Sequence, residues 1–246
     1  MISTTLVNRT IVLTGAAGGI GAACAHAFSE LGAGITLLDS SADGLARLSA
    51  ELSRPPASAA VCDLTDPRAV ANAFDEVGAR FGRIDALVNL VGVSGRGRIE
   101  DVSDDTWNQV ISVNLTSVFY TCRAALPWIR AAGGGTVVNV ASCAGLREQP
   151  GSLAYSASKG GVVMLSRTLA ADLGKEGIRV HAVCPTAVDT DMINGYFDAF
   201  EDPVQARVTY QANQPMGRLI TVGEIADEIV ALCLRQRPYT PEPLVV

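Results

Sequence analysis

The sequence predicts an α/β fold in which a parallel β-sheet is covered by helices on both faces. Three observations support this prediction. Short β-branched runs alternate with long helical patterns, the predicted strands are almost entirely apolar, and no linker or composition break divides the 246 residues. Apolar strands are typical of parallel sheets buried on both faces, and a repeated β-α pattern builds such sheets. We therefore expect one domain over residues 1–246, with right-handed crossovers.

The predicted elements follow one another in order with short connections. Strands are expected at 10–14, 34–39, 58–62, 85–91, 135–141, 178–184 and 243–246. Helices are expected at 19–32, 42–53, 66–81, 104–131, 152–174 and 222–235. The long helix that starts at 104 has Ser103 as its expected N-cap, and Asp104 and Asp105 suit the positive end of its dipole.

The stretch 187–218 departs from this pattern because its periodicity is weak. It mixes three aromatic side chains with three carboxylates, namely Tyr196, Phe197, Phe200, Asp198, Glu201 and Asp202. A long irregular insertion in a compact domain is often functional. We expect a substrate lid at about 187–218, with 191–213 as its moving part. A permanently packed subdomain is the alternative.

Composition narrows the function classes. The net charge is −6 and no basic run occurs, which disfavours a nucleic-acid partner. No apolar stretch reaches the roughly 18 residues of a spanning helix, and the N-terminus lacks a signal-peptide layout, so we expect a cytoplasmic protein. Six scattered cysteines without a C-x-x-C pair, together with two histidines, predict reduced thiols and no metal site.

A glycine-rich segment follows the first predicted strand: Thr14-Gly15-Ala16-Ala17-Gly18-Gly19-Ile20-Gly21. Glycines let a pyrophosphate approach the backbone, and the next helix offers free N–H groups to it. The spacing is G-x-x-x-G-x-G, and an ordinary glycine-rich turn remains the alternative. Asp39 ends the second strand 18 residues after Gly21, where a carboxylate can bind ribose hydroxyls and repel a 2′-phosphate. This favours NAD over NADP, although Asp39 could also be a capping residue. Asp63 could contact an adenine amino group or serve a turn.

Tyr155 and Lys159 form the second chemical feature. Positions i and i+4 share one helix face, so both side chains are expected to point the same way. A surface pair is one interpretation. The other is a phenol whose pKa is lowered by the Lys159 charge and by an oxidised nicotinamide, so that Tyr155 can act as an acid or base.

Four motifs together resemble the short-chain dehydrogenase/reductases. They are Thr14-Gly15-x-x-x-Gly19-Ile20-Gly21, Tyr155-x-x-x-Lys159, Asn114 in Val113-Asn114-Leu115, and Ser142 at the end of a strand. The resemblance covers about residues 8–235. It implies a single Rossmann-like domain with about seven parallel strands, an NAD cofactor and assembly into homotetramers or homodimers through the helices at 104–131 and 152–174.

The resemblance also assigns roles by position. The implied catalytic residues are Ser142, Tyr155, Lys159 and Asn114, the last holding a water through its carbonyl at a helix distortion. The implied cofactor-binding residues are Gly15, Gly18, Gly19, Ile20, Gly21, Asp39, Asp63, Leu64, Asn89, Gly92, Tyr155, Lys159, Pro185, Val188 and Thr190. The implied substrate-binding residues are Ser142, Cys143, Gln149, Tyr155 and Thr186. No metal is implied.

The chain departs from the family pattern at three places. Leu90-Val91 replaces Asn-Ala, Thr186 follows Pro185 where the family has glycine, and the chain stops at Val246 without Asp-Gly-Gly. With Pro241 and Pro243 near the end, we expect a short or irregular last strand.

The predicted function is NAD(H)-dependent interconversion of a secondary alcohol and a ketone by hydride transfer, with Tyr155 as the acid/base. The pocket residues are mostly apolar, with few basic residues beyond Arg147 and Arg207, so a neutral substrate is expected. A 3-oxoacyl-thioester (acyl-carrier-protein) reductase and a non-catalytic NAD-binding scaffold are the alternatives.

Overall fold

The structure, a computed structural model, describes residues 5–54, 58–214, 216–234 and 242–246. Its centre is a seven-stranded sheet in the order β3-β2-β1-β4-β5-β6-β7, with every neighbouring pair parallel. The strands β1 to β7 are Thr10–Thr14, Gly34–Asp39, Ser58–Val61, Ala86–Asn89, Gly135–Val140, Ile178–Cys184 and Leu244–Val245. The predicted fold class is therefore confirmed.

Helices cover both faces of this sheet. Helices α1 to α9 are Gly19–Glu30, Ala42–Glu51, Pro67–Phe81, Asp104–Ile111, Ser117–Ala131, Leu153–Leu173, Asp191–Phe197, Pro203–Ala212 and Val222–Leu234. Buried side chains of α1, α2 and α9 form one core, and those of α3, α5 and α6 form another. Ile11 and Leu13 of β1 enter the first core and Val12 enters the second, as the two-residue period of a strand requires.

Local signals explain where many helices begin and end. Asp66 caps α3 by accepting a hydrogen bond from the Arg68 N–H at 2.8 Å, and Pro67 occupies the first turn. Gly82 ends that helix in the left-handed region with φ 69°. Ser103 caps α4 through the Thr106 N–H at 3.1 Å, as predicted.

The helix predicted over 104–131 is not continuous. A π-helical segment at Ser112–Thr116 separates α4 from α5. Such a segment accommodates one extra residue per turn and is frequent at functional sites. Because it disturbs the helical period by only one residue, the hydrophobic pattern of the sequence did not reveal it.

Four strands are shorter than predicted, the third and the fifth by one residue each. The fourth covers Ala86–Asn89 rather than 85–91, because the chain leaves the sheet after the Leu90 N–H binds the Thr14 carbonyl at 3.1 Å. The last covers only Leu244–Val245, beside β6, which agrees with the short strand expected there. The predicted helix end at 235 and Pro241 lie outside the described residues.

The segment expected to be irregular contains two helices, α7 and α8. Asp202 caps α8 by accepting from the Gln205 N–H at 2.9 Å, and Pro203 begins it. Ala187, Phe197 and Leu219 form the buried centre of a small third core that the two helices share. The aromatic side chains of this core do not recur at helical spacing along the chain, so the sequence shows no regular hydrophobic stripe for α7 and α8.

All six cysteines are free thiols, as the scattered spacing predicts. None of the described helices is long and apolar enough to cross a membrane. The described residues also contain no group of three or more His, Cys, Asp and Glu side chains able to hold a metal ion.

Candidate active site

The glycine-rich turn lies where the strand order changes direction, between β1 and β4. Ligands of open α/β sheets bind at this point, outside the carboxyl ends of the strands. A Cβ on Gly15, whose φ is 67°, would lie 2.7 Å from the Val91 nitrogen, and one on Gly21 would lie 2.3 Å from the Gly15 oxygen. These two glycines are therefore required by close packing of the turn itself.

Gly18 and Gly19 differ from these two. A Cβ on either would meet nothing closer than 3.5 Å, so protein packing does not explain their lack of side chains. Gly18 precedes α1 without a capping side chain, and the first turn of α1 has no acidic residue. The open backbone and the free N–H groups of this 12-residue helix suit a pyrophosphate.

A cleft adjoins the turn. It is lined by Gly15, Asp39, Ser40, Cys62, Asp63, Leu64, Thr65, Val91, Val113 and Ser117. Four predicted cofactor residues, Gly15, Asp39, Asp63 and Leu64, thus lie together. Thr65 and Ser117 were not predicted, because no pattern in the sequence marks them as facing the cleft.

Two carboxylates of the cleft are fixed by main-chain donors. Asp39 accepts from the Ala17 N–H at 3.0 Å through Oδ2 and from the Ser41 N–H at 2.9 Å through Oδ1. Asp63 accepts from the hydroxyl and the N–H of Thr65 at 2.7 and 2.9 Å, and these bonds lower the pKa of Asp63. Asp39 therefore links the glycine turn to the end of β2 while its carboxylate borders the cleft.

Ser142 and Tyr155 meet beyond this cleft. Ser142 follows β5 in extended conformation, with φ −173°, and its Oγ accepts from the Ala144 N–H at 3.1 Å. Its side chain also hydrogen-bonds Tyr155 on the first turn of α6. The end of a strand and the start of a helix thus place two hydroxyl groups together.

Lys159 lies one turn further along α6 and is buried. Its ammonium donates to the Val140 carbonyl at 2.9 Å and lies 5.8 Å from the centroid of the Tyr155 ring. Burial lowers the pKa of Lys159 from 10.5 to about 8. A Cβ on Gly92 would lie 3.3 Å from Nζ, so a glycine there leaves room beside the ammonium.

The expected lowering of the Tyr155 pKa is not found in this structure. Burial raises the pKa of Tyr155, and the hydrogen bond with Ser142 only partly opposes it. The physical reason is burial, which disfavours the charged phenolate, and the Lys159 ammonium donates its hydrogen bond to the Val140 carbonyl. The prediction from the sequence also relies on the positive charge of an oxidised nicotinamide, which would lower the pKa of Tyr155.

Asn114 lies at the centre of the π-helical segment and is fully buried. Its amide accepts from the Val93 N–H at 2.8 Å and donates to the Val93 carbonyl at 3.0 Å and to Ser158 Oγ at 3.1 Å. The side chain therefore holds the loop after β4 against α6. The helix distortion expected at this residue is present.

Asn89 belongs to a buried polar network under the site. It accepts from Thr14 Oγ1 at 3.0 Å and from Thr121 Oγ1 at 2.8 Å, and it donates to Asn139 Oδ1 at 2.8 Å. Asn139 in turn donates to Ser166 Oγ at 2.9 Å. The network joins β1, β4, β5, α5 and α6. Asn139 was missed by the sequence analysis, because a single asparagine in an apolar strand does not reveal its partner.

The remaining predicted residues lie around the carboxyl end of β6. The Cys143 N–H donates to the Pro185 carbonyl at 2.9 Å, and the Thr186 N–H donates to the Val246 carbonyl at 2.8 Å. Val188 pairs with Ile220 in an isolated bridge, and a Cβ on Gly19 would lie 3.7 Å from Thr190 Cγ2. The last two predicted residues lie elsewhere. The Gln149 carbonyl accepts a hydrogen bond from the Ser152 N–H, and Ile20 of α1 packs against the first core.

Comparison with known proteins agrees with this geometry. A family model described as enoyl-(acyl carrier protein) reductase matches residues 15–241. D-threitol dehydrogenase of Mycolicibacterium smegmatis is 38% identical over 92% of this chain and 86% of its own length. Meso-2,3-butanediol dehydrogenase of Serratia marcescens is 35% identical over 89% of this chain and 84% of its own length.

Solved structures give the same result. A xylitol dehydrogenase with bound NAD⁺ matches with a TM-score of 0.93 and 29% identity, over 98% of both chains. An actinorhodin polyketide ketoreductase with NADPH matches with a TM-score of 0.90 and 30% identity, over 97% of this chain and 95% of its own. This chain belongs to the short-chain dehydrogenase/reductase family, oxidoreductases that act on CH–OH groups with a nicotinamide cofactor.

Proposed function

We propose that this protein interconverts a secondary alcohol and a ketone, with NAD(H) as cofactor and Tyr155 as the acid/base. The observation that carries the proposal is the hydrogen-bonded pair of Ser142 and Tyr155, with the buried Lys159 ammonium one helical turn away. The relatives named for threitol and butanediol oxidation support the same substrate class.

The proposed chemistry divides between the cofactor and the chain. A nicotinamide cofactor, held by the glycine turn and Lys159, would supply the hydride acceptor for oxidation of the alcohol and the hydride donor for reduction of the ketone. Tyr155 takes the hydroxyl proton during oxidation and returns it during reduction. Ser142 hydrogen-bonds the substrate oxygen and stabilises the charge that develops there.

Lys159 and Asn114 have supporting roles in this proposal. The buried Lys159 ammonium, 5.8 Å from the Tyr155 ring centroid, is proposed to bind the nicotinamide ribose. Together with the positive charge of a bound NAD⁺, it would offset the rise that burial causes in the pKa of Tyr155. Asn114 fixes the π-helical segment through Val93 and Ser158, which keeps a main-chain carbonyl available for a water that carries protons from Lys159.

The choice of NAD rests on Asp39. Its carboxylate borders the cleft and is anchored by two main-chain N–H groups, so a 2′-phosphate would meet a fixed negative charge. The predicted adenosine end of the site contains Asp63 and Leu64 as well. Gly92, Pro185, Val188 and Thr190 are proposed to bind the nicotinamide end.

Assembly, domain organisation and location are part of the same proposal. Trp107, Phe119, Leu153 and Met164 leave apolar side chains exposed on α4, α5 and α6, which supports a homotetramer or homodimer built on these helices. We regard residues 1–246 as one catalytic domain with a lid at about 187–218. The six free thiols support a cytoplasmic location.

A 3-oxoacyl-thioester reductase is the second candidate, because the matching family model is described by an acyl-carrier-protein substrate. The net charge of −6 counts against an acidic carrier protein as the partner. A non-catalytic NAD-binding scaffold is the third, and the paired hydroxyls of Ser142 and Tyr155 count against it.

One assay distinguishes the three candidate functions. The protein is incubated with NAD⁺ and a panel of diols, polyols and hydroxy acids, and NADH formation is followed. Acetoacetyl thioesters are tested with NADH and NADPH in the reverse direction. We expect turnover of secondary alcohols with NAD⁺. Turnover confined to thioesters would support the second candidate, and NADH binding without turnover of any substrate would support the scaffold.

A further inference from the structure

Two arginines beside the substrate pocket have no role in the proposed reaction. Arg96 lies in the loop between β4 and α4, and Arg147 follows the short turn after Ser142; both are exposed. Among the residues that the structure describes, neither lies within ion-pair distance of a carboxylate. The nearby Arg98, in contrast, pairs with Glu100 at 2.9 Å.

Arg96 is held against the aromatic cluster of α7 and α8. Its guanidinium carbon lies 3.5 Å from the centroid of the Tyr196 ring, and Tyr196 meets Tyr210 edge-on with centroids 5.7 Å apart. A guanidinium stacked by its face keeps its in-plane N–H groups free for a bidentate carboxylate contact. The aromatic contact therefore orients Arg96 without occupying its donors.

Arg147 contacts the turn that follows Ser142. Its Nη2 lies 3.8 Å from Sγ of Cys143, the residue that follows Ser142. A thiol is a weak acceptor, so most of the guanidinium stays available. Ser142 in turn hydrogen-bonds Tyr155. Arg147 is therefore connected to the proposed acid/base through Cys143 and Ser142.

The loop that carries Arg96 is hydrogen-bonded to the start of α6: the Gly97 N–H donates to the Gly151 carbonyl at 3.0 Å, and the Leu153 N–H donates to the Gly97 carbonyl at 3.4 Å. Burial, the largest cause, raises the pKa of Tyr210, whereas the charges of Arg96 and Arg147 act in the opposite direction. Tyr210 in turn contributes, after burial, to the raised pKa of Tyr155. The hydrogen bonds of Gly97 thus hold Arg96 beside the first turn of α6, which carries Tyr155, and the contact with Cys143 holds Arg147 beside Ser142.

Arg207 provides the contrast. Its two terminal nitrogens donate to Asn194 and to Asp189, each at 2.6 Å, so its charge is compensated and it braces α8 against α7. Of the two arginines expected near the pocket from the sequence, only Arg147 is uncompensated. Arg96, which the sequence did not indicate, supplies the second free charge.

We propose that the substrate is a hydroxy acid, or the corresponding keto acid, whose carboxylate is bound by Arg96 and Arg147 while its alcohol carbon faces Ser142 and Tyr155. This inference rests on the proposed alcohol–ketone chemistry and replaces the neutral substrate expected from composition. A charge-assisted hydrogen bond lost from one arginine corresponds to roughly ten- to hundredfold in affinity.

The test uses matched acids and amides. The probes are 3-hydroxybutanoate, 4-hydroxypentanoate and 5-hydroxyhexanoate with their primary amides, which vary the distance between hydroxyl and charge. We expect wild type to prefer at least one acid over its amide by tenfold or more in kcat/KM. Arg96→Gln and Arg147→Gln should each lower kcat/KM for that acid at least tenfold more than for its amide. Arg98→Gln is the matched control and should keep the wild-type ratio. Equal use of acids and amides, or equal losses for both in the two variants, would overturn the proposal.

A binding measurement keeps the result independent of turnover. Hexanoate and hexanamide are titrated by calorimetry into the protein with NADH present. Binding of hexanoate that exceeds that of hexanamide and weakens in Arg147→Gln, which leaves the Tyr196 contact intact, supports the inference even if no alcohol is oxidised. Equal binding, or binding of neither compound, overturns it. Alcohol turnover without acid preference would leave the proposed function standing and remove only this inference.

Discussion

The ammonium of Lys159 donates a 2.9 Å hydrogen bond to the main-chain carbonyl of Val140. This bond joins α6 to the last residue of β5, two positions before Ser142. Because Tyr155 lies on the same helix and hydrogen-bonds Ser142, one strand end and one helix hold all three groups. The spacing of the proposed catalytic groups is therefore set by the end of β5 and the first turns of α6.

The role of Tyr155 can be tested by Tyr155→Phe. The variant keeps the partly buried ring and removes only the hydroxyl, so NADH affinity should stay within about twofold, whereas kcat should fall by about 10² to 10⁴. Steady-state kinetics and NADH titration measure the two effects. Tyr120→Phe, a change of the same type on α5, serves as the control and should keep wild-type kcat. A Tyr155→Phe variant with near wild-type kcat would exclude Tyr155 as the acid/base.

The lowered pKa of Lys159 predicts a pH dependence of stability. The pKa of Lys159 is about 8 in the folded protein and about 10.5 as a model value, so between these pH values the unfolded chain binds the proton and the folded one does not. Stability contributed by this residue should therefore rise with pH across that window, by up to about 3 kcal/mol.

Urea unfolding of wild type and Lys159→Met at pH 7.5, 9 and 10.5 measures this contribution. The free energy of unfolding of wild type should increase relative to that of the variant as the pH rises. Lys175→Met, at an exposed lysine, should show no such trend. A difference between wild type and Lys159→Met that stays constant with pH would show that the folded-state pKa is not lowered.

Much of the fold could be predicted because its signals are local. Apolar, β-branched runs such as 10–14 predict buried strands by themselves, and the bounds Thr10–Thr14 agree with the prediction. The hydrophobic pattern could not predict the π-helical segment at Ser112–Thr116, since one extra residue in a turn barely changes the hydrophobic period. The helix distortion at Asn114 was expected only from the family resemblance. Arg96 was missed for another reason: its partner Tyr196 lies 100 positions away, and such contacts leave no mark in the local pattern.

Cofactor preference should follow Asp39. We expect wild type to use NAD⁺ at least tenfold better than NADP⁺ in kcat/KM, and Asp39→Ala with Ser40→Arg to narrow or reverse this ratio. The double variant removes the negative charge at the cleft and adds a cation for a 2′-phosphate. It also removes the acceptor of the Ala17 N–H, so kcat/KM with NAD⁺ should fall as well.

Asp43→Ala supplies the control for cofactor preference. Asp43 is exposed in the first turn of α2 and does not line the cleft, so its removal should keep the wild-type ratio of NAD⁺ to NADP⁺ use. A wild-type preference for NADP⁺ would contradict the role proposed for Asp39.

The small core of α7 and α8 bears on whether residues 191–213 act as a lid. Phe197 is buried with only 3% of its surface exposed, and it meets Tyr210 edge-on at 5.5 Å, so α7 and α8 share a core of their own. That core contains three buried residues, far fewer than either core beside the sheet. Segments with few buried apolar contacts open at low free-energy cost. We therefore expect amides in 191–213 to exchange faster in the free protein than with NAD⁺ and a substrate analogue bound, while amides of α5 stay equally protected.

Truncation of an aromatic side chain in the proposed lid gives a second test of its role. Phe200 is 44% exposed and lies edge-on to Tyr196 at 4.9 Å, so Phe200→Ala should loosen the aromatic cluster without removing its buried centre. KM for the substrate should rise several-fold, whereas KM for NAD⁺ should change little, because the cofactor cleft lies beside β1 and β2. Val204→Ala, at a 74% exposed position on α8, controls for a general effect of truncation in this segment. Equal, strong protection of 191–213 in free and bound protein would identify α7 and α8 as a fixed wall of the pocket, which is the packed-subdomain alternative.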